Sequence, residues 1–260
     1  MFKSIIVTGA SRGIGRAITI QLLKHFNSNV VAVARSEKDL NSLKDHVEKD
    51  LGLLGRLEIV IGDVTDDQIT ERAVQKSLDA WGKLDGIVAN AATIQPMAKI
   101  ADANIQDWKS QFDLNFFSVA VLFQKAIPHL RASKGCIVTV SSGLANYPSQ
   151  GFGFYCTSKA ALKMLTSCVA SEEPDIIALS IRPGVVDTEM QQVIRDLGAP
   201  AMPPEQHQKY TMLHEKNMLL GPEVPGHVIA ALVSGRATKE MSGNFYNWDD
   251  EKFIDLQLKA

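Results

Sequence analysis

The chain has 260 residues, of which 45% are hydrophobic and 22% charged, so it is long enough and apolar enough for one large α/β domain. A formal net charge of −2 gives no electrostatic reason to expect nucleic acid or an anionic membrane surface as a partner. Three scattered cysteines (Cys136, Cys156 and Cys168) exclude a disulfide framework or a zinc site, and the six histidines have no metal-ligand spacing.

The chain opens on "MFKSIIVTGASRG", whose apolar run ends in glycine too soon for a signal segment or a membrane span. Together with the cysteine usage, this points to the cytoplasm, with the nucleus as the alternative. Strands are predicted at 4–10, 29–35, 57–63, 85–92, 135–142 and 176–184, with a late edge strand at 244–248. Their centres are apolar without alternation, as in parallel strands covered on both faces. Helical patterns fall between them, near 13–26, 36–50, 66–82, 104–132, 153–172 and 222–234. Strand, helix, strand repeated in this way implies a single-domain, doubly wound, Rossmann-like α/β fold spanning 1–260. Residues 187–221 break the rhythm, being long, Met-rich and punctuated by Pro and Gly. Such a connection is either a substrate lid or a pair of surface helices.

The first strand runs into Thr8-Gly9-Ala10-Ser11-Arg12-Gly13-Ile14-Gly15, and a helix follows at once. Glycines at 9, 13 and 15 suit a tight turn and close approach of a pyrophosphate, which the helix N-terminus would receive. The second strand ends in Arg35-Ser36, without the carboxylate that holds the ribose of NAD. Arg35 and Ser36, with Arg12 closing from the glycine turn, suit a 2′-phosphate, so NADP(H) is expected over NAD(H). The alternative for Arg35 is a solvated strand end. Asp63-Val64 would lie by the adenine, and Asn90-Ala91 where a cofactor meets backbone.

At the start of a helical segment stands "YCTSK", Tyr155 to Lys159. Positions i and i+4 share a helix face, so Lys159 can lie beneath the phenol. A free phenol titrates near 10, and bringing it to neutrality takes about 4 kcal/mol, part of which a nearby cation supplies. Reduction of a ketone needs such a proton donor beside a hydride donor. Asn115 interrupts the apolar "FDLNFFSVAVLF", where an amide must be hydrogen-bonded.

Taken in order, TGASRGIG at 8–15, Asp63, Asn-Ala-Ala at 90–92, Asn115, Ser142, YCTSK and RPGVVDT at 182–188 resemble the short-chain dehydrogenase/reductases over nearly the whole chain. Ala89 and Ala92 depart from the family's common Asn and Gly. The ending "SGNFYNWDDEKF" is more similar to the branch containing sepiapterin and benzil reductases. The resemblance implies Tyr155 as general acid, with Lys159 lowering its pKa and holding the nicotinamide ribose. Ser142, rather than the adjacent Ser141, orients the carbonyl, and Asn115 joins a proton relay to Lys159, unless it is simply a satisfied core amide. Pro183, Gly184, Val186 and Thr188 would lie along the nicotinamide, with transfer of the 4-pro-S hydride. Homodimers or homotetramers packed through 104–132 and 153–172 are also implied.

Leu144, Tyr147, Gln150, Phe152 and Met190 are the candidate substrate-pocket residues, unless they only pack the core or lid; they suit a small hydrophobic ketone or α-diketone. Asp249 or Asp250 either anchors a substrate, as in sepiapterin reductase, or is solvated. No metal is needed. The leading expectation is an NADPH-dependent carbonyl reductase. Its alternatives are an NAD(H)-linked secondary alcohol dehydrogenase and a non-catalytic NADP(H)-sensing protein.

Overall fold

A computed structural model describes residues 2–258. Seven strands form one parallel sheet: β1 (Lys3–Thr8), β2 (Ser28–Ala34), β3 (Leu57–Ile61), β4 (Gly86–Ala89), β5 (Cys136–Val140), β6 (Ile177–Arg182) and β7 (Phe245–Asn247). Their spatial order is β3-β2-β1-β4-β5-β6-β7, so the winding reverses between β1 and β4. In open α/β sheets a crevice opens at the C-terminal ends of the strands at such a reversal. Register is continuous across it, with Val7 of β1 opposite Ala32 on one side and Val88 on the other.

The period-2 side-chain geometry of a strand explains why every central strand reads as uninterrupted apolar sequence. Ile5 and Val7 face a core built with α1 (Gly13–His25), α2 (Glu37–Asp45) and α9 (Glu223–Ala231), through Ile18, Leu22, Leu40 and Ile229. Ile6 faces the opposite core, shared with α3 (Asp67–Trp81), α5 (Ser118–Ser133) and α6 (Gly153–Glu172), through Val74, Leu122 and Leu162. Among the described residues, no helix is long and apolar enough to cross a membrane.

The expected helix over 104–132 is divided: α4 (Ile105–Phe112) passes into α5 through a π-helical turn at Asp113–Phe117. The buried amide of Asn115 lies in that wider turn, bonded to the loop after β4, and apolar periodicity carries no sign of the extra residue. The helix expected over 36–50 likewise ends at Asp45 and passes into a π-helical turn. Within 187–221 lie two helices, α7 (Glu189–Leu197) and α8 (Pro204–Glu215). The excursion returns to its origin, because Asp187 N–H donates to the Leu220 carbonyl (2.8 Å) and Leu220 N–H to that of Val185 (2.9 Å).

At the far edge, β7 is closed by a short turn whose Phe253 is fully buried and packs edge-on against Tyr246, ring centres 5.3 Å apart. Phe253→Ala removes that ring from the core and should cost about 3–5 kcal/mol in urea unfolding. A loss under about 1 kcal/mol would mean that the C-terminal turn does not seal the sheet.

Candidate active site

The turn between β1 and α1 places Gly9 and Gly13 at positive φ (+66° and +51°), the left-handed region that favours glycine. Gly15 is required for proximity instead: a Cβ there would lie 2.2 Å from the Gly9 carbonyl oxygen. The end of β4 grips this turn. Thr8 Oγ1 accepts the N–H groups of Asn90 (3.0 Å) and Ala91 (3.1 Å), and Asn90 Nδ2 donates to the Thr8 carbonyl (2.9 Å). Sequence reading gives Thr8 no separate role, since a threonine ending a strand carries no signal of the long-range pair it binds. The Arg12 guanidinium, expected to close on a 2′-phosphate, pairs with Glu189 at the start of α7. Gly13 lies under the same first turn, where its Cβ would sit 3.2 Å from Thr188 Cγ2. The 187–221 excursion therefore begins against the glycine turn.

Beyond β2, the Arg35 guanidinium lies 3.5 Å from an Asp63 oxygen, and Ser36 Oγ caps α2 by accepting the Asp39 N–H. The other Asp63 oxygen accepts both the N–H and the hydroxyl of Thr65. Arg35, Asp63, Leu114 and Phe117 help to line an open cleft of about 600 Å³, shared with the carboxylates of Asp67 and Asp113.

At the end of β5, Ser141 and Ser142 point apart, as neighbours in extended chain must. Ser141 Oγ is buried with no partner among the described residues, whereas Ser142 Oγ accepts the Leu144 N–H (3.2 Å) and hydrogen-bonds the Tyr155 phenol. Tyr155 and Lys159 share the inner face of α6, 7% and 2% exposed. Lys159 Nζ donates to the Val140 carbonyl (2.9 Å) and lies 5.7 Å from the centre of the Tyr155 ring. Among the described residues it has no carboxylate partner. Burial pushes the phenol up to about 12, against the pull of the Ser142 hydrogen bond and with help from Cys156 and Tyr210. The same burial brings Lys159 down to about 8. In the free protein the phenol is thus raised, with burial the largest cause.

Asn115 is fully buried, and both ends of its amide are engaged. Oδ1 accepts the Thr93 N–H (2.8 Å), while Nδ2 donates to the Thr93 carbonyl (2.9 Å) and to Ser158 Oγ (3.1 Å). Its side chain fixes the loop after β4 and meets α6 one residue before Lys159, without contacting the lysine itself.

A third apolar cluster surrounds Tyr155, formed by Ile94, Phe152, Ile194 and Met202, with Leu144 and Met190 packed against it. Gln150 lies at its edge, its amide donating to the Ala201 carbonyl (3.4 Å). Tyr147 stays outside, 65% exposed, because its short 3-10 turn carries it away from the cluster. Ile94, Met97, Ile194, Met202 and Tyr210 also belong to this cluster but are not singled out by the sequence, because they lie in the loop after β4 and in the 187–221 excursion, whose packing partners are distant in the chain. Pro183 and Gly184 follow β6; Gly184 has φ +83°, and a Cβ on it would meet Leu220 (2.8 Å) and Trp248 (3.0 Å). Val186 is buried and bridges to Leu220. Asp250 caps the last 3-10 turn by accepting the Lys252 N–H (3.1 Å).

The family described as short chain dehydrogenase matches residues 3–197. A benzil reductase ((S)-benzoin forming) of Saccharomyces cerevisiae is 38% identical over 99% of this chain and 100% of its own. The crystal structure of the KRED1-Pglu enzyme is 40% identical with a TM-score of 0.88, covering 94% of this chain and 99% of that one. L-sorbose reductase from Gluconobacter frateurii, solved with NADPH and L-sorbose, is 25% identical with a TM-score of 0.82 over 95% and 94% of the two chains.

Proposed function

The chain belongs to the short-chain dehydrogenase family of oxidoreductases, and on that premise we propose that it reduces a small hydrophobic ketone or α-diketone with NADPH. The observation that carries this reading is the convergence of Ser142, Tyr155 and Lys159 beside an apolar cluster at the C-terminal ends of the central strands. The similarity to a benzil reductase supports the substrate class.

The residues fit a dinucleotide. The glycine turn has no room for side chains at Gly9 or Gly15, and the first N–H groups of α1 are free to receive phosphate. Ser11, Arg12, Ile14, Asn90 and Ala91 would border the pyrophosphate and Asp63 and Val64 the adenine, while Pro183, Gly184, Val186 and Thr188 would border the nicotinamide. Bound there, NADPH supplies the hydride. The chain's own groups do the rest. The Ser142 hydroxyl and the Tyr155 phenol together receive a carbonyl oxygen, and Tyr155 gives it a proton as negative charge develops. A phenol held at about 12 is fully protonated at neutral pH, the state this donation needs. Once the proton leaves, the Lys159 ammonium 5.7 Å from the ring stabilises the phenolate by roughly 3 kcal/mol at an effective dielectric of 20. That is less than half of the roughly 7 kcal/mol separating a phenol held at about 12 from neutrality, and the developing alkoxide supplies the remaining drive. Asn115 acts by holding the Thr93 loop and α6 in register.

For the cofactor, Arg35 and the N-terminus of α2 capped by Ser36 favour a 2′-phosphate. A second reading, NAD(H), is favoured by the pairing of Arg35 with Asp63 beside Asp67 and Asp113, which neutralises the arginine. We place the protein in the cytoplasm as a homodimer or homotetramer packed through α4–α5 and α6, where Ile105, Phe117 and Met164 are exposed.

Tyr155→Phe should lower kcat for carbonyl reduction by about 10²–10⁴-fold while NADPH binding, followed by its fluorescence, is preserved. Turnover that survives the change would remove Tyr155 from the mechanism. Arg35→Ala should lower kcat/KM with NADPH by about tenfold or more and leave NADH unaffected. Equal use of NADH by the wild type would establish the second reading instead.

A further inference from the structure

The cluster around Tyr155 is built of apolar side chains, and its polar groups are few. On the proposed reading Ser142 and Tyr155 serve one substrate oxygen. A second phenol, that of Tyr210 on α8, packs against the same cluster. Its ring packs edge-on against the fully buried Phe152, with centres 6.2 Å apart and planes at 79°. Phe152 stands just before α6, three residues before Tyr155, and both phenols belong to the cluster around it. Tyr210 lies close enough to Tyr155 to raise that phenol, and burial raises Tyr210 itself, so it is a neutral donor in the physiological range.

Tyr210 is held in place by its neighbours; among the described residues its own hydroxyl makes no hydrogen bond. Gln206, one helical turn earlier, donates to Ser149 Oγ (3.1 Å) and to the Gln150 carbonyl (3.2 Å), tying α8 to the segment that leads into α6. The His207 ring bonds the Arg195 carbonyl (2.7 Å), tying α8 to α7. A tethered, uncommitted donor therefore stands beside the same apolar cluster as Tyr155.

A substrate with one carbonyl spends its only oxygen on Ser142 and Tyr155 and has nothing to offer Tyr210. A vicinal dicarbonyl brings a second oxygen, which must be desolvated among Leu144, Phe152, Met190 and Met202. Such an acceptor is penalised unless it finds a donor there. Resting on the carbonyl-reductase reading above, we propose that Tyr210 determines specificity by donating a hydrogen bond to the second oxygen of an α-diketone, so that the site distinguishes diketones from monoketones of the same skeleton.

The test compares benzil with deoxybenzoin, the same diphenyl skeleton with one carbonyl replaced by a methylene, in the wild type and in Tyr210→Phe. Because a diketone is intrinsically more electrophilic, the informative quantity is the change in the ratio of their kcat/KM values. The expected result is a fall of roughly tenfold in kcat/KM for benzil, expressed mainly in KM, with deoxybenzoin changed by less than about twofold. Equal losses for both substrates would make Tyr210 a packing residue, and an unchanged ratio would equally overturn the assignment. Absence of turnover with either substrate in the wild type would overturn the carbonyl-reductase reading and this assignment with it.

Discussion

An ammonium buried without a carboxylate is the constraint around which the site is organised. Lys159 reaches the end of β5, where the Val140 carbonyl accepts one of its protons and desolvation draws its proton affinity down to about 8. Relative to its ordinary value of 10.5, that shift amounts to a penalty on the order of 3 kcal/mol on the charged form. A core selected only for stability would place an apolar side chain there. The sheet supplies the rigid carbonyl and α6 the fixed side-chain direction. The interior of the doubly wound fold supplies the low dielectric that makes the charge effective at short range.

The same burial acts oppositely on the two members of the pair. It raises the phenol, whose charged form is the anion, and lowers the lysine, whose charged form is the cation. Tyr155 is therefore protonated in the free protein, the state that the proposed reduction draws on. The apolar cluster from α6, the loop after β4 and the 187–221 excursion packs around the phenol.

Much of this was legible in the chain itself, and the divisions have physical reasons. Strands β1 to β6 are buried on both faces, so their unbroken apolar runs mark them, and the glycine turn is marked by conformations and close approaches that only glycine allows. Tyr155 and Lys159 are legible as a pair because helical periodicity places i and i+4 together. The direction of the phenol's shift is not, since spacing says nothing about how dry a site is. The π-helical turn at Asn115 escapes for a similar reason: one inserted residue leaves the apolar pattern intact, and the Thr93 backbone that satisfies the amide lies 22 positions away. Tyr147, expected at the substrate pocket, is exposed, whereas Tyr210, for which the sequence raised no expectation, packs against the cluster. One is carried outward by a short turn, the other inward by the packing of α8.

The pair's electrostatics are open to direct measurement. The amine of Lys159 can be titrated by NMR in the dimethylated protein, its resonance identified by its loss in Lys159→Met. Below the midpoint the residue is an ammonium able to stabilise the phenolate; above it the charge is gone, and reduction should slow as pH rises through that point. The account predicts a midpoint near 8 in the cofactor-free protein. A midpoint at the ordinary lysine value, about 10.4, would contradict it.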